Sequence, residues 1–500
     1  MQFNSIHFLI FFPAVLLVYF VIPKKVRYIW LLAASYYFYM SWNAKYAILI
    51  AFSTVATYLC GIIIEQLSLK EDNLRYYLKR LTLALGIISN LLILFMFKYL
   101  DFTIDSINAV LGHFNISLIE NNFDLLLPVG ISFYTFQALG YIIDVYRKNV
   151  NAEYNILKYA LFVSFFPQLV AGPIERSGKL MKQLNHADEI KLWNYERIVK
   201  GFMIMMWGYF MKVVISDRAA TVVNELFTNY YAYDSVELIF GVTLFAVQIY
   251  CDFAGYSTIA VGAAKIMGFE LMDNFDTPYF STSIQEFWRR WHISLSSWFR
   301  DYLYIPLGGN RKGKIRKYIN TMIVFLVSGL WHGADWTYVI WGGLHGFYQI
   351  VGDITKPVKE KCAGKLKIRT DATSYKLMKM AVTFGLTCFA WIFFAADNMT
   401  IAVEYIARIF TRLDPWALTD GTIYSLGLDR QQMNILIISI IVLLLVDLVK
   451  YKKGVRMENI ADRQNSWVRP VIILSLVFAV IVFGAYGAEF DAQQFIYFQF

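Results

Sequence analysis

The chain has 500 residues, of which 58% are apolar, 18% are aromatic and only 17% are charged. Soluble proteins average about 45–50% apolar and about 25% charged residues, so the composition excludes an ordinary water-soluble enzyme. The formal net charge is +9, but the basic residues lie in short loops between long uncharged segments, which indicates membrane topology and no nucleic-acid partner. We therefore expect an all-α polytopic protein of the cell (plasma) membrane, in contact with the lipid bilayer.

The first apolar segment, residues 8–22, predicts an uncleaved membrane anchor. No positive charge precedes it and basic residues follow it at 24–27, the reverse of the order in a secretory signal peptide. Because positive residues collect on the cytoplasmic side, we expect the N-terminus to be extracytoplasmic. The next basic cluster, at 70–80, is also predicted to be cytoplasmic, so segments 28–42 and 46–64 are expected to cross the membrane between them.

Ten further apolar segments predict spans, re-entrant helices or interfacial helices. They lie at 81–99, 125–145, 159–171, 198–215, 238–267, 318–330, 336–350, 380–396, 435–449 and 471–485. Segment 238–267 is long enough for a span plus a turn or for a broken helix, with Asp252 expected to cap or pin the break. Basic loops at 356–379 and 450–469 are predicted to be cytoplasmic, which places the tail 486–500 outside.

Cysteine spacing in this chain gives no sign of a metal site or a redox motif. Cys60, Cys251 and Cys388 lie in apolar segments and Cys362 lies in a basic loop. We expect all four to be free thiols that fill space.

Segment 281–313 is the densest group of unusual residues. A helical wheel that starts at Phe287 places six large apolar side chains within about 120°, which predicts an amphipathic interfacial helix. These are Phe287, Trp288, Trp291, Leu295, Trp298 and Phe299. His292 falls at the border of this stripe, where it is predicted to be either a hydrogen-bonded anchor or a participant in chemistry.

The end of this segment, at 308–315, matches the first letters of a phosphate-binding loop. It lacks the Ser or Thr that would hold magnesium, which disfavours a nucleotide hydrolase. The loop is either a charged cytoplasmic turn or a site for the phosphates of a cytosolic donor such as coenzyme A. The candidate contacts to those phosphates are Arg289, Arg290, Asn310, Arg311 and Lys312.

His332 is the strongest candidate for a catalytic side chain. It follows the basic cluster at 311–317 by fifteen helical residues, which rise about 22 Å across a membrane core of roughly 30 Å. It should therefore lie at the deep turn of a short hairpin, with Asp335 placed to orient its ring. A buried histidine at that depth can take a proton from a hydroxyl in acyl transfer, or relay protons in a transporter. His345 is a second intramembrane histidine, for which a structural role is the simpler interpretation.

Five segments together resemble the membrane-bound O-acyltransferase (MBOAT) superfamily, in its branch of alginate and peptidoglycan O-acetylases. They are PVGISFYTFQALGYIIDVYR, FFPQLVAGPIERSG, QIYCDFAGYSTIA, STSIQEFWRRWHISLSSWFRDYLYIPLGGNRKG and SGLWHGADWTYVIWGGLHG. The resemblance implies a single membrane-embedded domain over 1–500 with its core at about 125–400. It also implies a ring of roughly 11–13 transmembrane, re-entrant and interfacial helices around a thin central floor, with cytoplasmic and extracellular funnels.

In that family pattern, His332 corresponds to the deep catalytic base and His292 to the other signature histidine. One position departs from the branch, because Ala395 stands where an arginine is expected. The last six residues, FIYFQF, resemble a C-terminal motif whose tyrosine carries the acyl group, which makes Tyr497 a predicted relay. Reference pKa values of about 8.5 for a thiol and about 10 for a phenol make transfer from thioester to phenyl ester to sugar ester run downhill. The alternative for the tail is an aromatic anchor at the interface.

The resemblance implies an acetyltransferase of the cell envelope with no permanently bound cofactor. Acetyl-CoA is the expected donor substrate, and the acceptor is an extracytoplasmic polysaccharide such as alginate, peptidoglycan or another exopolysaccharide. The acetyl group would reach it directly or through an extracytoplasmic transferase of the esterase-like type. Two alternatives remain open: acyl transfer from a carrier-protein thioester, as in D-alanylation of teichoic acids, and a polytopic transporter of sugars or lipid-linked precursors.

Overall fold

The computed structural model describes most of the chain, and the described residues form helices and loops without a strand. The described ranges are 1–69, 72–120, 126–170, 172–462, 464–465 and 467–486. Two compact units divide them. The first comprises Met1–Phe202 and Ala260–Met272, and the second comprises Met203–Ile259 and the described residues from Asp273 onward. The expectation of an all-α protein is confirmed.

Within its described residues, the first unit contains nine complete helices and the start of a tenth. They are α1 (Ile6–Val21), α2 (Arg27–Met40), α3 (Ala47–Leu67), α4 (Asn73–Leu94), α5 (Leu100–His113), α6 (Ile131–Tyr146), α7 (Ile156–Ser164), α8 (Phe166–Leu169), α9 (Ser177–Asn185) and α10 (Tyr195–Tyr209). A π-helical stretch, Phe95–Tyr99, joins α4 to α5.

The second unit begins within α10 and contains the remaining helices. They are α11 (Asp217–Thr228), α12 (Ser235–Met267), α13 (Ile284–Arg290), α14 (Ile293–Phe299), α15 (Gly313–His332), α16 (Trp336–Lys365), α17 (Thr373–Ala395), α18 (Met399–Thr411), α19 (Arg430–Lys453), α20 (Met457–Asp462) and α21 (Val468–Phe483). The end of α12 belongs to the first unit. A π-helical stretch, Phe210–Ser216, links α10 to α11.

Six helical stretches within the described residues are long and apolar enough to cross a membrane, and α1 and α21 are shorter apolar helices. The six are Ala44–Leu67, Asn73–His113, Tyr195–Thr228, Ser235–Met267, Thr373–Ala395 and Arg430–Lys453. Their surroundings differ, because protein covers 78% of the most apolar window of α12 but only 28% of that of α19. The chain is a multi-pass membrane protein in which α12 is an interior helix and α19 presents most of its surface to lipid.

The prediction of a broken helix or an added turn at 238–267 is wrong. Helix α12 runs without interruption for 33 residues. Asp252 lies inside it and does not cap a break, since its carboxylate accepts a hydrogen bond from Lys212 Nζ at 2.5 Å. A tertiary partner forty residues away thus accounts for a buried charge that local sequence assigned to a helix end.

The single amphipathic helix predicted across 287–299 is also wrong. The chain forms α13 and α14, separated by Trp291 and His292, and His292 has left-handed backbone angles (φ 42°, ψ 57°). The break is stabilised from outside, because the backbone carbonyl of Asn274 accepts from Ile293 N at 2.9 Å and its side chain accepts from Ser294 N at 3.3 Å. The predicted burial nevertheless holds, since all six apolar side chains of the wheel are buried.

Glycines bring the backbones of α15 and α16 into direct contact. A Cβ atom added to Gly342 would overlap the carbonyl oxygen of Phe325, and one added to Gly329 would overlap that of Tyr338. Small residues at such contacts let membrane helices approach closely, which increases their van der Waals contact. The rigid hairpin therefore depends on glycine at these two positions.

Gly342→Ala is expected to destabilise the hairpin, because the added methyl group meets backbone that cannot rotate away. Overpacking of this kind costs about 1–3 kcal/mol or more. Gly343→Ala is the matched control, since its Cβ would meet only the Leu326 side chain, at an ordinary 3.5 Å. Melting temperatures in detergent should fall clearly for the first variant alone, and equal values for the two variants would contradict this account of the packing.

Glu175 is a buried carboxyl group in the first unit. Its side chain is 3% exposed and accepts a hydrogen bond from the backbone N–H of Met272. Burial raises the pKa of Glu175 to about 7 from its ordinary value of 4.5. Because the folded state then holds a proton that the unfolded state releases, stability falls as the pH rises from about 4.5 to about 7, by about 3 kcal/mol.

Glu175→Gln is expected to remove most of this pH dependence, since glutamine resembles the protonated acid. The variant and the wild type should melt at similar temperatures near pH 4.5, and the variant should melt higher at pH 8. The control is Glu189→Gln, which alters an exposed carboxylate of the same unit. A Glu175→Gln protein that is less stable than the wild type at pH 8 would contradict the assignment.

Candidate active site

His332 is the last residue of α15, and the turn 333–335 leads directly into α16. The predicted hairpin with His332 at its turn is therefore confirmed. The side chain is buried, with its ring centre 5.0 Å from that of Trp341 and 5.6 Å from that of Phe394. Asp335 caps α16, because its carboxylate accepts a hydrogen bond from Thr337 N at 2.7 Å. This capping role was not predicted from the sequence.

The structure brings the two signature histidines together. The ring centre of His292 lies 6.2 Å from that of His332 and 4.6 Å from that of Phe253. His292 is fully buried, and its ring nitrogens can serve as hydrogen-bonding groups inside the site.

His345 lies farther along α16 and shares a neighbour with His332. Its fully buried ring is 5.1 Å from Trp341, so the indole of Trp341 contacts both imidazoles. Neither ring nitrogen of His345 has a hydrogen-bond partner among the described residues. His345 therefore offers an internal comparison for His332, with the same side chain and the same aromatic neighbour.

A cavity of about 600 Å³ opens beside the hairpin turn. The turn residues 333–335 form part of its wall, and so does Ala395, at the position where an arginine was expected. Its charged and aromatic wall residues are Lys212, Asp217, Asp252, Asp335, Asp397, Phe227, Phe245, Tyr338 and Phe394. His332 is not itself a lining residue, but Phe394 contacts it and also lines the cavity, so one side chain separates the imidazole from a space of substrate size.

An ion cluster forms one wall of the cavity. Lys212 Nζ lies 2.8 Å from Asp217 and 2.5 Å from Asp252, and the lysine side chain is only 2% exposed. Helices α10 and α12 approach each other at two glycines, since a Cβ on Gly208 would come within 2.6 Å of the carbonyl oxygen of Gly255. This close approach and the π-helical turn containing Lys212 set the ammonium opposite Asp252.

The C-terminal helix ends next to the same ion cluster. Arg218 is buried and donates through Nη2 to the carbonyl oxygen of Phe483 at 3.0 Å. Two residues later, Ala485 N donates to the carbonyl oxygen of Val213 at 2.8 Å. The tail thus leaves the described residues, at Tyr486, beside the helix that carries Lys212 and Asp217. Tyr497, the predicted relay, lies outside the described residues.

Three of the predicted phosphate contacts, Asn310, Arg311 and Lys312, lie at the other end of α15, whereas Arg289 and Arg290 lie in the last turn of α13. Helix α15 has 20 residues and therefore rises about 30 Å between the turn at 308–312 and His332. The guanidinium of Arg290 is committed to protein contacts, 3.1 Å from Glu286 and 3.4 Å from Asp276. The remaining predicted contacts are exposed: Arg289, Asn310, Arg311 and Lys312.

Sequence reasoning singled out Asp252 with a different role and missed Lys212, Asp217 and Gln248. Lys212 is a lysine within an apolar segment, and an ionisable residue at such a position is itself a signal of a functional site. Asp217 and Gln248 carry no such signal. Their places in the cavity wall follow from how α10, α11 and α12 pack.

The profile of the membrane-bound O-acyltransferase family matches residues 148–394. A protein of Azotobacter vinelandii named probable alginate O-acetylase AlgI is 36% identical, covering 91% of this chain and 85% of that protein. The peptidoglycan O-acetyltransferase of Helicobacter pylori is 35% identical, covering 79% of this chain and 77% of that protein. The teichoic acid D-alanyltransferase of Streptococcus thermophilus is 28% identical, covering 54% of this chain and 69% of that protein.

Proposed function

Because the chain belongs to the membrane-bound O-acyltransferase family and is an O-acyltransferase, we propose that it supplies acetyl groups for the O-acetylation of an extracytoplasmic polysaccharide. The donor is a cytosolic thioester, acetyl-CoA, and the acceptor polymer is alginate, peptidoglycan or a related exopolysaccharide. The relatives named as alginate and peptidoglycan acetylases support this choice of polymer. The chain acts in the plasma membrane, with both termini on the extracytoplasmic side.

The observation that carries the proposal is the position of His332, buried at the hairpin turn next to His292 and the cavity. In the proposed step His332 takes the proton of an acceptor hydroxyl while the oxygen attacks the thioester carbonyl. The carbon–sulfur bond then breaks, and the thiolate leaves and recovers the proton. A positioned base of this kind accelerates a reaction by about 10²–10⁴-fold. The ring of His292, whose centre lies 6.2 Å from that of His332, supports the arrangement by hydrogen bonding.

The two ends of α15 fit the two substrates of the proposed reaction, the donor at its N-terminal end and the acceptor at its C-terminal end. The basic turn at 308–317 is cytoplasmic by the positive-inside rule, and its exposed cations fit the phosphates of coenzyme A. The cavity lies at the opposite end, about 30 Å along the helix axis. Donor and acceptor therefore approach from opposite faces, and the acyl group crosses the membrane by changing its carrier.

The origin of the tail supports Tyr497 as the first acceptor. Tyr497 is eleven residues beyond Tyr486, so an extended chain reaches at most roughly 40 Å from that point. That length is enough to enter the cavity, because Val213 and Arg218, which bind Ala485 and Phe483, are the chain neighbours of the wall residues Lys212 and Asp217. From the phenol, an extracytoplasmic transferase of the esterase-like type moves the acetyl group to the polymer.

Proteoliposomes with the full chain test the reaction class. With acetyl-CoA on the face that carries the basic turn, free coenzyme A should accumulate in wild type and not in His332→Ala. Substrate flux without a thioester would support a transporter instead. Turnover that requires an acyl carrier protein would show that the donor is a carrier-protein thioester and not acetyl-CoA.

A further inference from the structure

We propose that the polar floor of the cavity, formed by Lys212, Asp217, Gln248 and Asp252, binds an uncharged hydroxyl-bearing ring and disfavours the carboxylated form of that ring. The inference rests on the proposed function and deepens it by naming the chemical class of the direct acceptor. Its consequence is that a polyuronate is not the direct acceptor at this cavity.

Gln248 provides the observation that points to a ligand. Its side chain is 8% exposed and lies in the cavity wall, and its Oε1 atom has no hydrogen-bond partner among the described residues. A buried amide oxygen without a donor is unfavourable, because it has lost its hydrogen bond to water and gained none in return. A ligand with an O–H group supplies the missing donor, whereas an ionised carboxylate offers only acceptors.

The charged residues around the cavity give this floor its charge preference. Asp252 lies one helical turn after Gln248 on α12, and Lys212 bridges it to Asp217. The buried guanidinium of Arg218 also interacts with Asp217, so two cations offset the two carboxylates of the cluster. Asp335 and Asp397 add two further carboxylates to the wall, which leaves a formal charge of −2. Walls of one sign in a poorly hydrated cleft concentrate the field, so an anionic ligand is repelled.

The aromatic walls indicate a ring as the occupant. Phe227, Phe245, Tyr338 and Phe394 line the cavity together with the polar floor. Apolar ring faces combined with a few polar groups that fix orientation are typical of small-molecule sites. Two sources supply such a ring: the phenol of this chain's own tail and a neutral sugar.

Equilibrium binding to the full chain in nanodiscs tests the inference without requiring turnover. Two matched ligand pairs distinguish the sources, N-acetyltyrosinamide with N-acetyltyrosine and methyl glucoside with methyl glucuronide. We expect at least one pair to bind, with the uncharged member at least tenfold tighter at low salt and the difference shrinking at high salt. The pair that binds identifies the ring. Equal affinity within the pair, or no binding of either pair, overturns the inference.

Two variants then assign the preference to the cavity. Gln248→Leu should weaken binding of the uncharged ring about tenfold, because the amide oxygen no longer accepts its hydroxyl. Asp397→Lys changes an exposed wall residue, which folding tolerates, and should reduce the charge preference at least fivefold. Asp371→Lys makes the same charge change on an exposed residue two positions before α17, whose 23 residues place it about 35 Å from the cavity.

The outcomes separate this inference from the proposed function. If Asp397→Lys and Asp371→Lys leave the charge preference unchanged alike, the floor does not select the acceptor, even where thioester turnover is normal. If instead binding shows the expected preference while His332→Ala retains full turnover, the cavity assignment stands and the proposed chemistry fails.

Discussion

Polysaccharide acetylation should fall by about 10²–10⁴-fold in His332→Ala cells, the usual contribution of a positioned general base. The loss is expected because no other described side chain combines a buried imidazole at the hairpin turn with a neighbouring cavity. The chain should still insert and fold, since alanine is compatible with the end of α15. Acetyl ester content of the purified polymer, together with the amount of protein in the membrane, measures the effect.

The matched control is His345→Ala. Both histidines are buried and both rings lie about 5 Å from Trp341, at 5.0 and 5.1 Å, so truncation leaves a similar void at each site. His345→Ala is expected to lower stability but to keep acetylation per folded molecule within about tenfold of wild type. Equal losses per folded molecule in the two variants would mean that packing around Trp341, not the base at His332, limits the reaction.

Tyr497→Phe should abolish transfer to the polymer as completely as His332→Ala does. The substitution removes only the hydroxyl oxygen, and without that oxygen the tail cannot carry an ester. Because phenylalanine keeps the aromatic ring, an interfacial anchor would survive the change. The same polymer assay measures the result.

Tyr486→Phe is the control for loss of a tail phenol. The hydroxyl of Tyr486 donates to the carbonyl oxygen of Val480 at 3.0 Å, so its removal costs about 1 kcal/mol of local stability and leaves the reaction intact. Unchanged acetylation in Tyr497→Phe would reduce the tail to an anchor and make the cavity the site of direct transfer to a sugar.

Local sequence was sufficient to predict the α15–α16 hairpin and the position of His332 at its turn. A basic cluster followed by an uncharged segment of helical length predicts a turn at His332, and α15 does end there. The apolar set from Phe287 to Phe299 was also sufficient for burial. It did not specify the break at His292, because the contacts that cause that break come from Asn274, in a separate loop.

The rest of the site depends on tertiary contacts that no local pattern contains. Asp252 is an ion-pair partner and not a helix cap, because Lys212 lies 2.5 Å away. The end of the C-terminal helix is bound by Arg218, which lies 265 residues before Phe483 in the sequence. Buried charges are tolerated only where oppositely charged partners meet them, so the role of such a residue can be assigned only after the packing of the helices is known. A lysine within an apolar segment was the one local signal available.

The central claim is that an acetyl group leaves a cytosolic thioester and crosses to the other face on this chain, with His332 as base. The direct test is mass spectrometry of the C-terminal peptide after incubation of the full chain with isotope-labelled acetyl-CoA in proteoliposomes. The account predicts a labelled acetyl ester on Tyr497 in wild type and in His345→Ala, and none in His332→Ala. A peptide without label in wild type, or with equal label in His332→Ala, would contradict it.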